Sequence, residues 1–260
     1  MKILIIRHGE PDYSIDSLTD KGWREAEYLS EMLVRELGDD TRDGKVHFYM
    51  SPYGRAQDTA RPTLKKLGRE AEVLPWLREF DVFIWRPDDT TRKRIPWDWT
   101  PGDWMQDPRL YQADHWFENE RMAEGNVGEE YRKVADQFDE LLARHGYRRE
   151  SGCYQDGDFR DGGFYRAERP NHDTIVLFCH FGVESVLLSH LLGVSPMPIW
   201  HGFCAQPSSV TTIVTEERRE GIASFRILAF GDTSHLYVHD EEPSFAARFC
   251  ECYSDETRHD

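Results

Sequence analysis

The sequence predicts an α/β fold built on a mostly parallel sheet, and three observations support that prediction. Ile3-Leu4-Ile5-Ile6 and Thr174-Ile175-Val176-Leu177-Phe178-Cys179 are short, unbroken apolar runs, as strands buried on both faces require. The first is followed by an amphipathic helix and a second strand, a βαβ unit that makes those strands parallel. Both apolar runs also end in a histidine before a turn, at Arg7-His8-Gly9 and His180-Phe181-Gly182. In a parallel sheet such ends face the carboxyl edge, where open α/β sheets bind ligands.

The remaining elements follow in order. Thr19 reads as the N-cap of a helix to about Leu37, with Ala26, Leu29, Leu33 and Leu37 on one face and Gly38-Asp39-Asp40 as its stop. Val46 to Met50 is the second strand. Ser51-Pro52 predicts another helix start, serine as cap and proline at the first helical position. Ala56, Ala60, Leu64 and Leu67 give that helix its apolar face, and Pro62 should kink it. Glu72 to Leu77 reads as a third strand, running into Arg78-Glu79-Phe80.

From about 81 to 127 the character changes. Six of the eight tryptophans fall between Trp76 and Trp116, among prolines and the run Arg92-Lys93-Arg94. Weak periodicity there predicts an insertion with little regular structure beyond one short helix. It serves either as a wall over the active edge or as an apolar cluster packing a long loop, and both can hold. Gly128 to His145 is a helix with Tyr131, Val134, Phe138, Leu141 and Leu142 on one face. Residues 146 to 172, rich in Gly, Asp, Arg and Tyr, predict a surface loop or hairpin. After the central strand comes a helix from about Val183 to Leu192, ended by Gly193. Ser209 to Thr215 and Phe225 to Phe230 are two more strands, and the acidic tail from Asp240 carries a short helix or ordered extension. A single domain over residues 1–260 accommodates all of these.

Composition sets the boundaries. With 260 residues, 39% hydrophobic and 31% charged, the chain is a soluble globular protein with room for a sizeable core. It has no bilayer-length apolar run and no leader pattern, so a cytoplasmic location is expected. Five cysteines at irregular spacings, with no Cys-x-x-Cys pair, argue against a disulfide framework and a structural zinc site. The net charge of −16 disfavours nucleic acid and anionic membranes as partners. Arginines that converge on a pocket therefore do so against the background of the chain.

The chemistry-bearing residues lie at separate strand ends and turns. Arg7 and His8 follow the first strand, Arg55 falls in the first turn of the Ser51-Pro52 helix, Glu79 follows the third strand, and His180 the central one. Two guanidiniums, Arg7 and Arg55, can clamp phosphate oxygens through paired N–H donors. Neutral His8 can attack phosphorus in line, forming a phosphohistidine. His180, once protonated, would donate to the transferring oxygens, and Glu79 would protonate the leaving alkoxide and then activate water. No metal and no cofactor is needed, and the implied partner is a small phosphorylated substrate. Ser14 is a further phosphate-contact candidate, as is Ser17, although loop serines more often cap turns. Arg92-Lys93-Arg94 is either a solvated run or an aid in holding an anionic substrate. Among the other histidines, His172, His201, His235 and His239 read as surface or core residues.

These motifs resemble the histidine phosphatase superfamily, which includes cofactor-dependent phosphoglycerate mutases and fructose-2,6-bisphosphatase domains. The likeness rests on Arg7-His8-Gly9-Glu10, on Leu18-Thr19 with Gly22, on Ser51-Pro52-x-x-Arg55-Ala56 with Thr59-Ala60, and on His180 at a strand end. Ser209-Val210 and the closing stretch to His235-Leu236 resemble the usual ending. The resemblance implies a three-layer α/β/α fold with helices on both faces of the sheet. It makes His8 the nucleophile, Arg7 and Arg55 the phosphate clamp, and His180 the second histidine. Glu79 is the implied acid, with Asp81 as a nearby competitor, because Leu77-Arg78-Glu79-Phe80-Asp81 lacks the usual Gly and Trp-Glu-Gly. Glu10 stands where the mutases carry Gln and the phosphatases Glu, which favours hydrolysis by a histidine acid phosphatase type of enzyme. Two departures are Pro11, where a hydroxyl residue is common, and Phe181, where Gly is common. The alternatives are a phosphoglycerate-mutase-type isomerase on the same residues, a catalytically silent phospho-ligand binding module, and, last, a metal-dependent hydrolase.

Overall fold

The computed structural model describes residues 1–89, 91–150, 164–246, 252 and 254. Strand β1, Lys2–Arg7, leads into a short ribbon in which β2 (Pro11–Asp12) pairs antiparallel with β3 (Ser17–Leu18). Helix α1 spans Asp20–Arg42, and the Thr19 hydroxyl caps it by accepting from the Gly22 amide at 3.1 Å. It continues past the expected stop at Gly38. Leu37 and Thr41 are both buried and hold that extension down, against a helix penalty of about 1 kcal/mol for a glycine.

Strand β4 is Val46–Met50, as its apolar pattern predicts. Helix α2, Gly54–Leu67, starts later than Ser51-Pro52 implies: Tyr53 stands at its N-cap and no side chain caps it. Ser51 is buried and has another use, described below. Pro62 lies inside α2 without dividing it, and Gly68 ends it in the left-handed conformation. The expected third strand shrinks to β5, Glu72–Val73, because Pro75 has no N–H for a ladder and opens a 3₁₀ turn over Pro75–Leu77. Glu79 thus follows a turn rather than a strand end.

The segment from 81 to 127 contains α3 (Pro101–Trp104), 3₁₀ turns at Pro108–Tyr111 and Trp116–Glu118, and α4 (Glu120–Glu124). Pieces this short have no period to detect, so the sequence shows one helix at most. Then come α5 (Val127–Arg144), β6 (Tyr147–Arg149), β7 (Tyr165–Ala167), β8 (Thr174–Cys179) and α6 (Phe181–Leu192). The chain closes with α7 (Met197–Gly202), β9 (Val210–Arg219), β10 (Ile222–Asp232) and α8 (Ser234–Tyr237). β6 and β7 pair antiparallel and form the arms of the hairpin expected over 146–172. Its centre, residues 151–163, and most of the acidic tail lie outside the described residues.

One eight-stranded sheet, ordered β5-β4-β8-β1-β9-β10-β7-β6, organises the molecule. The β5, β4, β8 and β1 strands run parallel, and from β9 onward each neighbour is antiparallel. Alternation along β1 and β8 explains their unbroken apolar runs. Ile3, Ile5, Ile175 and Leu177 enter a core shared with α5, α6 and the tryptophans, whereas Leu4, Ile6, Val176 and Phe178 enter one shared with α1 and β4. Each fully buried aliphatic side chain contributes about 1.5–3 kcal/mol, so neither face tolerates a polar residue. Helices therefore cover both faces. Helix α6 is buried along nearly its whole length. Among the described residues no helix is long and apolar enough to cross a membrane.

Candidate active site

The parallel pairing of β1 with β8 places Arg7 opposite Cys179, so His8 and His180 emerge side by side at the carboxyl edge. Their rings lie 5.1 Å apart between centroids, and both are buried. His8 Nδ1 is 2.8 Å from the Gly9 carbonyl oxygen. A carbonyl can only accept, so Nδ1 carries the proton and Nε2 keeps its lone pair. Burial, reinforced by the positive charges of Arg7 and Arg55, holds the His8 pKa well below the ordinary histidine value. The ring is neutral at neutral pH.

His180 occupies the N-cap position of α6 with an extended backbone. Its Nε2 lies 2.7 Å from the Ser51 hydroxyl, which also accepts from the Tyr53 amide. Its Nδ1 is buried with no hydrogen-bond partner. Burial first, then His8, Arg55 and Arg7, also holds its pKa well below the usual value.

The two arginines are fixed by different means. Arg7 donates to the Ala205 carbonyl at 2.5 Å, and its guanidinium lies 5.7 Å from the ring centroid of Phe181. Phe181, at a position where Gly is common, thus forms a face for the arginine to rest on. Arg55 donates to Asp16 Oδ1 at 2.6 Å and sits over the rings of Tyr53 and Tyr13, at 4.8 and 5.4 Å. Asp16 Oδ2 accepts from the Gly54 amide at 2.7 Å, tying the β2–β3 loop to the start of α2. Thr59 links the two halves: its hydroxyl accepts from the Gly9 amide and donates to the Arg55 carbonyl. Both arginines keep a buried Nε–H with no partner.

Glu79 reaches the same site from its turn. Its Oε1 accepts from the Phe80 amide at 2.8 Å and from Val183, in the first turn of α6, at 3.2 Å. Burial raises its pKa, opposed by those amides and by Arg7 and Arg55. Asp81 is engaged elsewhere, pairing with Arg78 and accepting from the Tyr53 hydroxyl at 2.8 Å. Ser14 is not brought in: its hydroxyl donates to Asp12 Oδ1 at 2.5 Å in an exposed turn. Ser17 donates to Asp58. Glu10 accepts from the Thr19 and Ser244 hydroxyls, which hold its carboxylate at the start of α1. Lys93 lies over Trp85, and Arg94 pairs with Asp89 and Asp98, so these two basic residues serve the insertion.

The insertion packs as an apolar cluster, and one of its tryptophans borders the site. Trp99, Trp104 and Trp116 are buried in the core, while Trp97 packs against Phe181 and Trp200 beside the site. Its approach depends on Gly182, where a Cβ would lie 2.3 Å from the Trp97 ring and 2.6 Å from Glu79 Oε1. Two further buried carboxylates adjoin the site. Glu184 Oε1 accepts from the Thr211 hydroxyl at 2.5 Å, and Glu25 Oε2 accepts from the Glu10 amide at 2.7 Å. Burial pushes each up to about 7. Sequence reasoning missed Asp16, Glu25, Trp97 and Glu184. It quoted Ser51 and Thr59 only as parts of a helix signature.

Solved structures share this fold. A phosphoserine phosphatase mutant from Entamoeba histolytica, in complex with phosphoserine, has 17% identity and a TM-score of 0.53, covering 90% of this chain and 98% of that one. A mycobacterial glucosyl-3-phosphoglycerate phosphatase with inorganic phosphate gives 18% and 0.52, covering 90% and 98%. The structure called Mycobacterial hydrolase 2 gives 19% and 0.54, covering 88% and 90%. No curated protein matches the chain. The family described as histidine phosphatase superfamily (branch 1) matches residues 3–152, which include His8, Arg55 and Glu79. That match takes in more than half of the sequence, so the chain belongs to the histidine phosphatase superfamily, branch 1.

Proposed function

We propose that the protein is a metal-independent phosphatase that hydrolyses small phosphomonoesters through a phosphohistidine on His8. The observation that carries this reading is the Gly9 carbonyl 2.8 Å from His8 Nδ1, which leaves Nε2 as an unprotonated nucleophile. Superfamily membership and the phosphatases among the fold neighbours support the reaction class.

The roles divide by donor and acceptor chemistry. Arg7 and Arg55 hold the equatorial phosphoryl oxygens, using N–H groups that no protein acceptor occupies. His8 Nε2 attacks phosphorus in line, the P–N bond forms and the P–O bond to the leaving group breaks. Glu79, whose pKa burial raises, gives a proton to the departing alkoxide and then takes one from the attacking water. His180 becomes the cation once a dianionic phosphate offsets the two guanidiniums, and its Nδ1 then donates to the phosphoryl oxygens. Water cleaves the P–N bond, and inorganic phosphate leaves with His8 neutral again. This chemistry uses one catalytic domain over residues 1–260, with 81–127 as a wall above the site, in a cytoplasmic setting.

Turnover of an aryl phosphate in EDTA tests the proposal. Activity should persist in the chelator and fall by at least about a thousandfold in His8→Ala, with loss of the acid-labile phosphoenzyme. Full turnover by His8→Ala would sink the mechanism. Conversion of 3-phosphoglycerate that depends on the 2,3-bisphosphate would replace hydrolysis with mutase chemistry on the same residues.

A further inference from the structure

At the opposite end of the parallel strands from His8, three potential ligands from distant parts of the sequence meet. His47 lies in β4, His145 is the C-cap of α5, and Asp173 immediately precedes β8. Their ligand atoms all fall within 4.8 Å of one another. His47 Nε2 and Asp173 Oδ2 are 3.4 Å apart. Two ligands of a tetrahedral ion bound at about 2.0–2.2 Å are separated by about that distance. His47 Nε2 is buried and makes no hydrogen bond, which a donor or acceptor in a settled core would. The two imidazoles meet edge-on, with centroids 4.6 Å apart.

The surroundings suit a cation. His145 stands at the C-terminus of α5, the end of the helix dipole that favours positive charge. Outer partners fix the residues: the Tyr49 hydroxyl lies 2.8 Å from His145 Nε2, and Asn171 holds both the His145 carbonyl and the Asp173 amide. Arg144 and Arg169 oppose a cation, but Arg144 is paired with Glu72, and Arg169 donates to the Arg144 carbonyl.

We infer that His47, His145 and Asp173 form a binding site for a divalent transition metal, Zn2+ by its nitrogen-and-carboxylate ligand set, that staples the end of α5 to β4 and β8. Two imidazoles and one carboxylate leave the fourth position to water. The strand length between Asp173 and His180 puts the site roughly 20 Å from the phosphate clamp, so the ion takes no part in phosphoryl transfer. The departure from the sequence expectation of no metal has a simple cause. The ligands are 98 and 28 residues apart, and no spacing motif marks them.

The test uses the full chain stripped of metal, titrated with Zn2+ by calorimetry, beside His47→Gln and Asp173→Asn. Both replaced side chains are about one-third exposed, so neither change opens the core. The wild-type protein should bind one more equivalent of Zn2+ than either variant, or bind it at least tenfold more tightly. Zn2+ should raise the melting temperature of the wild type alone, while metal-free aryl phosphatase activity stays equal in all three. Equal uptake and equal melting shifts in the three proteins, or no uptake by the wild type, would overturn the proposal.

Discussion

At the scale of single residues, the site is built from groups whose pKa values burial displaces. Glu79 is the clearest case for function. Burial raises its pKa, which favours the protonated form that an acid role requires. Glu79→Gln should therefore lose rate most on esters with poor leaving groups, and far less on aryl phosphates whose leaving groups need no acid. Equal losses across a leaving-group series would remove Glu79 from that role. Glu184 is the clearest case for stability. Its carboxyl is pushed up to about 7, so the folded chain holds a proton that the unfolded chain gives up near 4.5. Stability from this group is present below about 4.5 and lost as pH rises through about 7, to the extent of roughly 3 kcal/mol. Glu184→Gln does not titrate. Its melting temperature relative to the wild type should climb between pH 4.5 and 7.5, and a pH-independent difference would contradict the assignment.

Elements explain why some of the site was legible and some was not. Ile3–Ile6 and Thr174–Cys179 could be read as strands because burial on both faces forces every position to be apolar. His8, Arg55 and His180 could be read as a site because each directly follows or opens an element that the pattern marks. Asp16 carries no such mark. It sits in a short ribbon turn with φ +48°, and its value lies in reaching Arg55 across 39 residues. α7 and α8, at six and four residues, are too short for a helical period. Ser51 was misread for a sharper reason, since a serine before a proline signals a cap even when its hydroxyl serves a histidine instead. The junction of α6 with the insertion yields a further prediction. A methyl group on residue 182 would collide with both Trp97 and Glu79. Gly182→Ala should destabilise the protein by about 1–3 kcal/mol and reduce turnover while leaving the His8 phosphoenzyme chemistry possible. Wild-type kinetics in that variant would show that the wall does not depend on this close approach.

At the scale of the whole molecule, the sheet order decides which parts can stand alone. The family match ends at residue 152, but β8 and β9, the strands that flank β1, come after it. A fragment of residues 1–152 should therefore lack a cooperative melting transition and bind no phosphate analogue. A folded fragment would mean that β1 can find other partners. The acidic surface was legible from composition, but this division of labour was not, because strand order is a long-range property.

The central place of β1 also has a consequence in time. Its neighbours on both sides are made long after it, and His180 is 172 residues downstream of His8. At about 5–20 residues per second, the isoleucine-rich strand waits roughly 10–40 s on the ribosome before its partners emerge. Throughout that interval it offers two unpaired, apolar edges to any other nascent chain. Its production in a foreign host should respond to chaperone supply and slower translation more than to any surface change. His8 is translated well before His180, so the pair of histidines at the carboxyl edge is completed only once β8 has joined β1.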